Sequence, residues 1–259
     1  MIFLVFLVLL VSTIALVCKN KLMMSNKLPT PVEAKTILSQ NKAYGVLSTL
    51  NRKSYLLGYP YGSIVSFALD EDDRPFFIFS DLSLHTRNIL LNDSISLCVT
   101  EYGFKSASDS RVSVTGTIKK QSNNLDYYKS KFLKYHPNAD WINLPDFRVY
   151  CMNEIKDISF VGGFGRANKI KIKDYNSAKC DPFIFYMNDI LDYIDEHYYN
   201  YILKYLNEKM KLEVIKFKVK NLDSNGINIV YSDTLVRIPF KSSVKTFDDL
   251  RLALANLVI

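Results

Sequence analysis

Histidine is scarce here: His85, His136 and His197 are the only three in 259 residues. There is no HExxH pair, no Ser-His-Asp arrangement, no Walker loop and no paired-carboxylate signature, so hydrolase and kinase chemistry have no carrier. Cysteine is nearly as sparse. Cys18, Cys98, Cys151 and Cys180 form no CxxC pair and stand at no zinc-ligand spacing from a histidine, and no disulfide framework is implied. Cys98 (SISLCVTE) and Cys151 (RVYCMNE) lie inside strand-like runs and read as small buried hydrophobes. Basic residues give a net charge of +7, yet they are scattered in no dense block, so a nucleic-acid partner is not expected. Internal repeats and low-complexity linkers are absent as well.

What is present is ample apolar material, 48% of the chain, for one large domain or two smaller ones. Residues 1–18 (MIFLVFLVLLVSTIALVC) form an apolar run closed by Lys19 and Lys21, which reads as a signal peptide or a short anchor. Residues 19–30 are a basic linker or transit-like segment, with no acid until Glu33. The expected route is entry into the secretory pathway, ending in a plastid-like organelle or outside the cell. Membrane contact is expected only through residues 1–18, as an anchor if they are not cleaved.

Beyond that segment, Thr30-Pro31 with Glu33 as a capping-box acid predicts a helix over 31–42. Strands are expected over 44–50, 62–69 and 76–80, the last two forming a hairpin around DEDDRP. A short helix over 82–91 follows, then strands over 94–100 and 111–119, a helix over 125–135 and a long strand or a bent pair of strands over 147–160. From Asp181 the character changes. A tyrosine-rich helical stretch (182–206) precedes strands over 213–220, 227–231 and 235–240, with turns at Asn225-Gly226 and Ser232-Asp233, and a final helix over 246–257. The chain divides into 31–178 and 179–259. Many strands with short helices between them indicate a barrel or split barrel rather than βαβ units.

The stretch 58–88 (GYPYGSIVSFALDEDDRPFFIFSDLSLHTRN) carries most of the chemistry. Ser80, His85, Thr86 and Arg87 gather hydroxyls, a helix start and a cation, the set that receives a phosphate; the alternative is a solvated helix start capped by Asp81 or Ser83. The glycines of 162–167 either bring backbone close to a planar ligand or form a strand bulge. His136, at a helix end before Pro137, reads as a dipole partner. Tyr193, Tyr198, Tyr199, Tyr201 and Tyr205 read as a helix face packed on the barrel.

That corner, together with Arg111-Val112-Ser113-Val114-Thr115-Gly116, the segment 160–167 (FVGGFGRA) and the tail from Leu222, resembles the FMN-binding split-barrel superfamily of the pyridoxamine 5'-phosphate oxidases. Within it, the chain is most similar to the branch of HugZ-type haem oxygenases and the plant plastid protein that binds glutamyl-tRNA reductase. The resemblance implies an α+β fold: an antiparallel split β-barrel with peripheral helices, followed by a small helix–three-strand–helix domain. It implies a homodimer that binds haem, another tetrapyrrole or FMN at its interface, in haem or tetrapyrrole metabolism or its regulation. A tetrapyrrole ligand or a tetrapyrrole-pathway enzyme is then the expected partner. The alternatives are an oxidoreductase, FMN-dependent or haem-degrading, and a cofactor-free secreted interaction protein like the cellular-repressor glycoproteins. By the same resemblance Ser63 and Arg111 approach the cofactor groove with Ser80, His85, Thr86 and Arg87, and Gly163 and Phe164 line the pocket or dimer face. His197 lies near where the branch carries His-Met-Asn-x-Asp-His and is the candidate haem-iron ligand, the alternative being a surface histidine. Met187-Asn188-Asp189 match that motif, whereas Tyr186 stands in place of its first histidine. No histidine follows His197, so the C-terminal haem ligand of HugZ-type enzymes has no counterpart.

Overall fold

The computed structural model describes residues 26–40, 44–163 and 165–257; the expected signal peptide or anchor at 1–18 and most of the basic linker lie outside them, as does Phe164. The chain forms two compact units, residues 30–185 and residues 186–257 together with 26–29. Among the described residues no helix is long and apolar enough to cross a membrane.

The larger unit runs α1 (Thr30–Leu38), β1 (Tyr44–Leu50), β2 (Pro60–Ser66), β3 (Ala68–Leu69), β4 (Pro75–Ser80), α2 (Leu84–Ile89), β5 (Ser94–Thr100), β6 (Arg111–Lys120), α3 (Leu125–Tyr135), β7 (Phe147–Val161), β8 (Ala167–Lys169) and α4 (Ile172–Ser177). The strands pair antiparallel in the order β2-β1-β5-β6-β7-β4-β3, with β8 on β7. β2 and β3 are consecutive in the chain, separated by Phe67 alone, yet they lie at opposite ends of this order. One residue cannot span an open sheet, so the sheet must curl until its two edges meet, which gives the split barrel. The expected hairpin of 62–69 with 76–80 is therefore shorter than predicted. Residues 60–66 pair with β1, and only Ala68 and Leu69 pair with β4. His136 stands at this seam: its Nε2–H donates to the Phe67 carbonyl at 2.8 Å, with the ring buried. That bond, rather than a helix dipole alone, explains the residue.

Alternation decides what is inside. Leu47, Val65, Phe77, Phe79, Leu97, Val114, Tyr150, Met152 and Ile158 belong to the barrel core. The opposite face of β4 and β7 (Phe76, Ile78, Val149, Cys151) packs beneath Phe132 of α3 and Ile142. Cys151 is buried as expected, and burial pushes its thiol up to about 11; Cys98 is half-exposed instead, because it faces outward opposite Val46 and Ser113.

The smaller unit is α5 (Met187–Glu208), a meander of β9 (Lys218–Asp223), β10 (Gly226–Tyr231) and β11 (Thr234–Pro239), and α6 (Phe247–Ala255). Ser232 and Asp233 both have positive φ, as a two-residue hairpin turn requires. β9 starts at Lys218, later than the expected Glu213. The side chain of Asn207 brackets Val214 with bonds to its N–H and carbonyl, which holds the preceding segment as a loop. Thr246 and Asp249 form a complete capping box on α6.

Candidate functional site

The predicted residues fall into three groups. The first surrounds α2, at the end of the barrel where Ser80 closes β4 opposite Phe147. Ser80 Oγ donates to Asp146 Oδ2 at 2.5 Å and accepts from the Leu82 N–H. Asp81 pairs with Arg148 at 3.4 Å. His85 sits edge-on to Phe79, with ring centroids 4.4 Å apart; its Nε2 is sealed from solvent without a hydrogen-bond partner. Burial lowers its pKa from the ordinary 6.5, so the imidazole is neutral at pH 7. Thr86 is fully buried with Oγ1 unpartnered, and the hydroxyls of Ser63 and Tyr150 are likewise shielded and unpartnered. Ser63 points into the barrel because it pairs with core residue Leu47 across β1 and β2. Arg87, on the outer side of α2, is exposed.

Sequence reasoning did not select Asn88 as a site residue. It is fully buried, its amide donates to Thr49 Oγ1 at 3.0 Å and its carbonyl accepts from the Arg52 N–H at 3.2 Å. Asn88 thus ties α2 to β1 and to the loop after it. Tyr150 and Asp146 were also missed, since only the register of β4 on β7 brings them to Ser80 and Phe79.

The second group is at the other end of β7, where Arg111 pairs with Val161. Within one chain, Arg111 and Ser80 thus stand at opposite ends of the same fifteen-residue strand. Arg111 donates to the Ala107 carbonyl at 2.8 Å. Gly163 has φ +99, and a Cβ there would lie 3.1 Å from the Ser108 carbonyl oxygen, so both geometry and space call for glycine. The turn is closed by Gly162 N–H to the Arg166 carbonyl and Arg166 N–H to the Gly163 carbonyl. Arg166 then reaches Glu33 at 2.7 Å, an ion pair with side chains only 13% and 16% exposed, and also covers the Phe160 ring. Glu33, expected as a capping-box acid, instead holds this turn and accepts from Ser110 Oγ.

The third group is in the smaller unit. His197 on α5 is 47% exposed, edge-on to Tyr193 at 4.5 Å and 3.8 Å from Glu196. Tyr193 also packs against Phe247 of α6, and Tyr199 stacks on Phe217 at 4.5 Å. Of the three histidines, His136 is committed to Phe67 and His85 has its Nε2 sealed, whereas His197 offers its ring to solvent. Among the described residues no group of three or more His, Cys, Asp or Glu could hold a bare metal ion.

A phosphate dianion does not suit the α2 corner of a single chain. Asp146 occupies the Ser80 hydroxyl, Asp81 adds a second negative charge, and Asp81 engages Arg148, leaving Arg87 as the cation on α2. The corner instead sets Asp81 and Asp146 against Arg148 and Arg87, around hydroxyls and an unprotonated imidazole.

Three comparisons with known proteins agree with this architecture. Residues 26–177 match the family model described as CREG, beta-barrel. The non-canonical heme oxygenase HOZ, chloroplastic, of Arabidopsis thaliana is 25% identical over 238 residues, which cover 88% of this chain and 73% of that protein. A heme binding protein from Mycobacterium smegmatis superposes with a TM-score of 0.61 at 22% identity, covering 90% of this chain and 97% of its own. Atu2129, a protein of unknown function from Agrobacterium tumefaciens str. C58, gives 0.50 at 20% identity, with 90% and 98% covered. The two structural likenesses bear on the fold, and both continue past the barrel. Since the family model spans more than half of the chain, and with it nearly all of the barrel unit, this protein belongs to the CREG β-barrel family.

Proposed function

We propose that this protein binds haem, or a closely related tetrapyrrole, as a homodimeric split barrel serving haem or tetrapyrrole metabolism or its regulation. The observation that carries this reading is the reach of the resemblance. The match to a chloroplast haem oxygenase takes in 88% of the chain, so it includes the helix–meander–helix unit and not the barrel alone. Haem, when bound, would supply an iron centre able to bind oxygen and change redox state. The residues of this chain that fit it are His197, whose exposed imidazole can offer a nitrogen ligand, and the adjoining Tyr193 and Phe247 rings, which offer an apolar flank. FMN fits less well, because the α2 corner presents Asp81 and Asp146 where the flavin phosphate needs cations. A tetrapyrrole-pathway enzyme is the macromolecular partner in this reading, and a plastid-like compartment its setting.

The dimer is supported by the outer face of β2, β1, β5 and β6. There Ile64, 79% exposed, stands opposite exposed Val46, beside the small residues Gly62, Ser48, Ser96, Cys98 and Ser113. An exposed apolar patch ringed by small residues suits a second copy of itself. Ile64→Glu should convert a dimer to monomers in light scattering.

Haem degradation with oxygen and a reductant is the second reading, favoured by the activity named for the Arabidopsis relative. The full-length protein should show a Soret shift on titration with haemin, lost or moved in His197→Ala. A flavin spectrum on isolation, or saturable quenching of added FMN, would support the flavin-dependent oxidoreductase instead. No response to either ligand would sink both and support a cofactor-free interaction protein. Turnover of bound haem under reductant and oxygen then separates enzyme from binding protein.

A further inference from the structure

Residues 26–29 lie ahead of α1 in the chain but group with the C-terminal unit, and Asn26 shows why. Its side-chain amide donates to the Asn225 carbonyl at 3.3 Å and the Phe240 carbonyl at 3.2 Å. Its own main-chain carbonyl accepts from Arg237 Nη2 at 3.0 Å. Asn225 and Phe240 are themselves joined by the Phe240 N–H at 2.9 Å, so Asn26 seals the place where the β9–β10 turn meets the end of β11.

Arg237 makes this seal consequential. It sits on β11 only 5% exposed, with Nη2 also on Asp223 Oδ1 at 2.6 Å and Nη1 on Asn228 Oδ1 at 3.2 Å, while its Nε–H is buried without a partner. A buried guanidinium is stable only while its donors are met, and this one has already left one donor unmet. Space around it is fully used: a Cβ on Gly226 would lie 2.5 Å from the Ile238 carbonyl oxygen and 3.3 Å from the guanidinium carbon. Asn26 therefore supplies an acceptor that the meander cannot draw from its own strands.

We infer that Asn26 is a structural residue of the C-terminal unit and that it sets the limit of N-terminal processing: the functional protein retains Asn26, so any removal of the leader ends at or before residue 25. The latch stands on hydrogen bonds alone, and only its consequence for processing rests on reading the N-terminal segment as a targeting sequence. A cut one residue further would remove three hydrogen bonds at once and uncover Arg237.

Two measurements test it. Intact mass of the protein isolated from its native compartment should place the N-terminus after Met1 and no later than Asn26. In the full chain, Asn26→Ala should lower the melting temperature by about 5 °C or more, with the first proteolytic cuts falling within 186–257. Asn26→Ser, which shortens the side chain away from both carbonyls while adding no charge, keeps the test readable should the alanine variant not fold. A mature N-terminus at Lys27 or later overturns the inference, as does an Asn26→Ala protein that melts and is cleaved like the parent. A chain that keeps Met1 overturns the processing limit, because no leader is then removed, while the melting and proteolysis of Asn26→Ala still decide the latch, so the two failures are distinguishable.

Discussion

Toward the Phe147 end of β7 the barrel buries polar atoms that meet no partner, Thr86 Oγ1, the Tyr150 hydroxyl and His85 Nε2, whereas at the Val161 end Arg111, Glu33, Arg166 and Ser110 all have one. Unmet buried polar atoms cost stability, whereas fully paired ones hold a backbone still. The α2 corner is thus the end that carries unmet polar atoms. The glycine turn is the end built as scaffold. That division separates residues which the sequence had assembled into one groove, at least within a single chain.

The comparison is broken most forcefully at Asn88. Asn88→Ala removes a buried donor to Thr49 Oγ1, which keeps only its 3.5 Å bond to the Tyr61 carbonyl, and the acceptor of the Arg52 N–H, and should cost about 2 kcal/mol in denaturant unfolding. A loss below about 1 kcal/mol would mean that α2 is held by its apolar residues and not by this bond. Next comes Glu33→Ala at the scaffold end. It leaves Arg166 mostly buried and unpaired, with an expected loss of about 2 kcal/mol and new protease sensitivity at residues 162–166. Stability unchanged with the turn still protected would show that the glycines alone hold it.

Thr86→Val is the sharper test of the corner, because it removes an unpartnered hydroxyl while keeping the shape. In the ligand-free protein it should be neutral or stabilising by up to about 1 kcal/mol. Destabilisation would show that the hydroxyl is satisfied in solution. The smallest effect is with pH. Burial lowers the pKa of both His85 and His136, so the unfolded chain binds more protons than the folded one below about 6.5, and stability present above that pH declines as pH falls through it. His85→Gln should flatten part of this decline in melting curves taken between about pH 7.5 and 5.5. An unchanged slope would place His85 in water.

Much of the barrel was legible because alternation is local. In RVSVTGTIK the period of two places Val112 and Val114 in the core and Ser113 outward, as observed. Residues 213–217 misled because EVIKFKVK has strand character, whereas Asn207 clamps Val214 from α5 and delays β9. The break of the predicted 62–69 strand at Phe67 escaped notice for a similar reason: nothing in SIVSFAL marks the point where a strand leaves one sheet edge for the other. In the candidate site the residue types were read from the motif, but their states were not. Ser80 is engaged by a carboxylate 66 residues away, and whether His85 faces water or core depends on how α2 settles over Phe79.

By itself the sequence determined most of the strands and helices, though not β8 or α4, and the two-part organisation, since these follow from local period and turn chemistry. The tertiary structure alone decided that Glu33 answers Arg166 across 133 positions, that Asn26 answers Phe240 across 214, and that the polar atoms around α2 are left without partners. Such pairings are chosen by burial, where a charge or an amide must find whichever complementary group the closed barrel or the folded meander brings within reach. No local pattern records that choice.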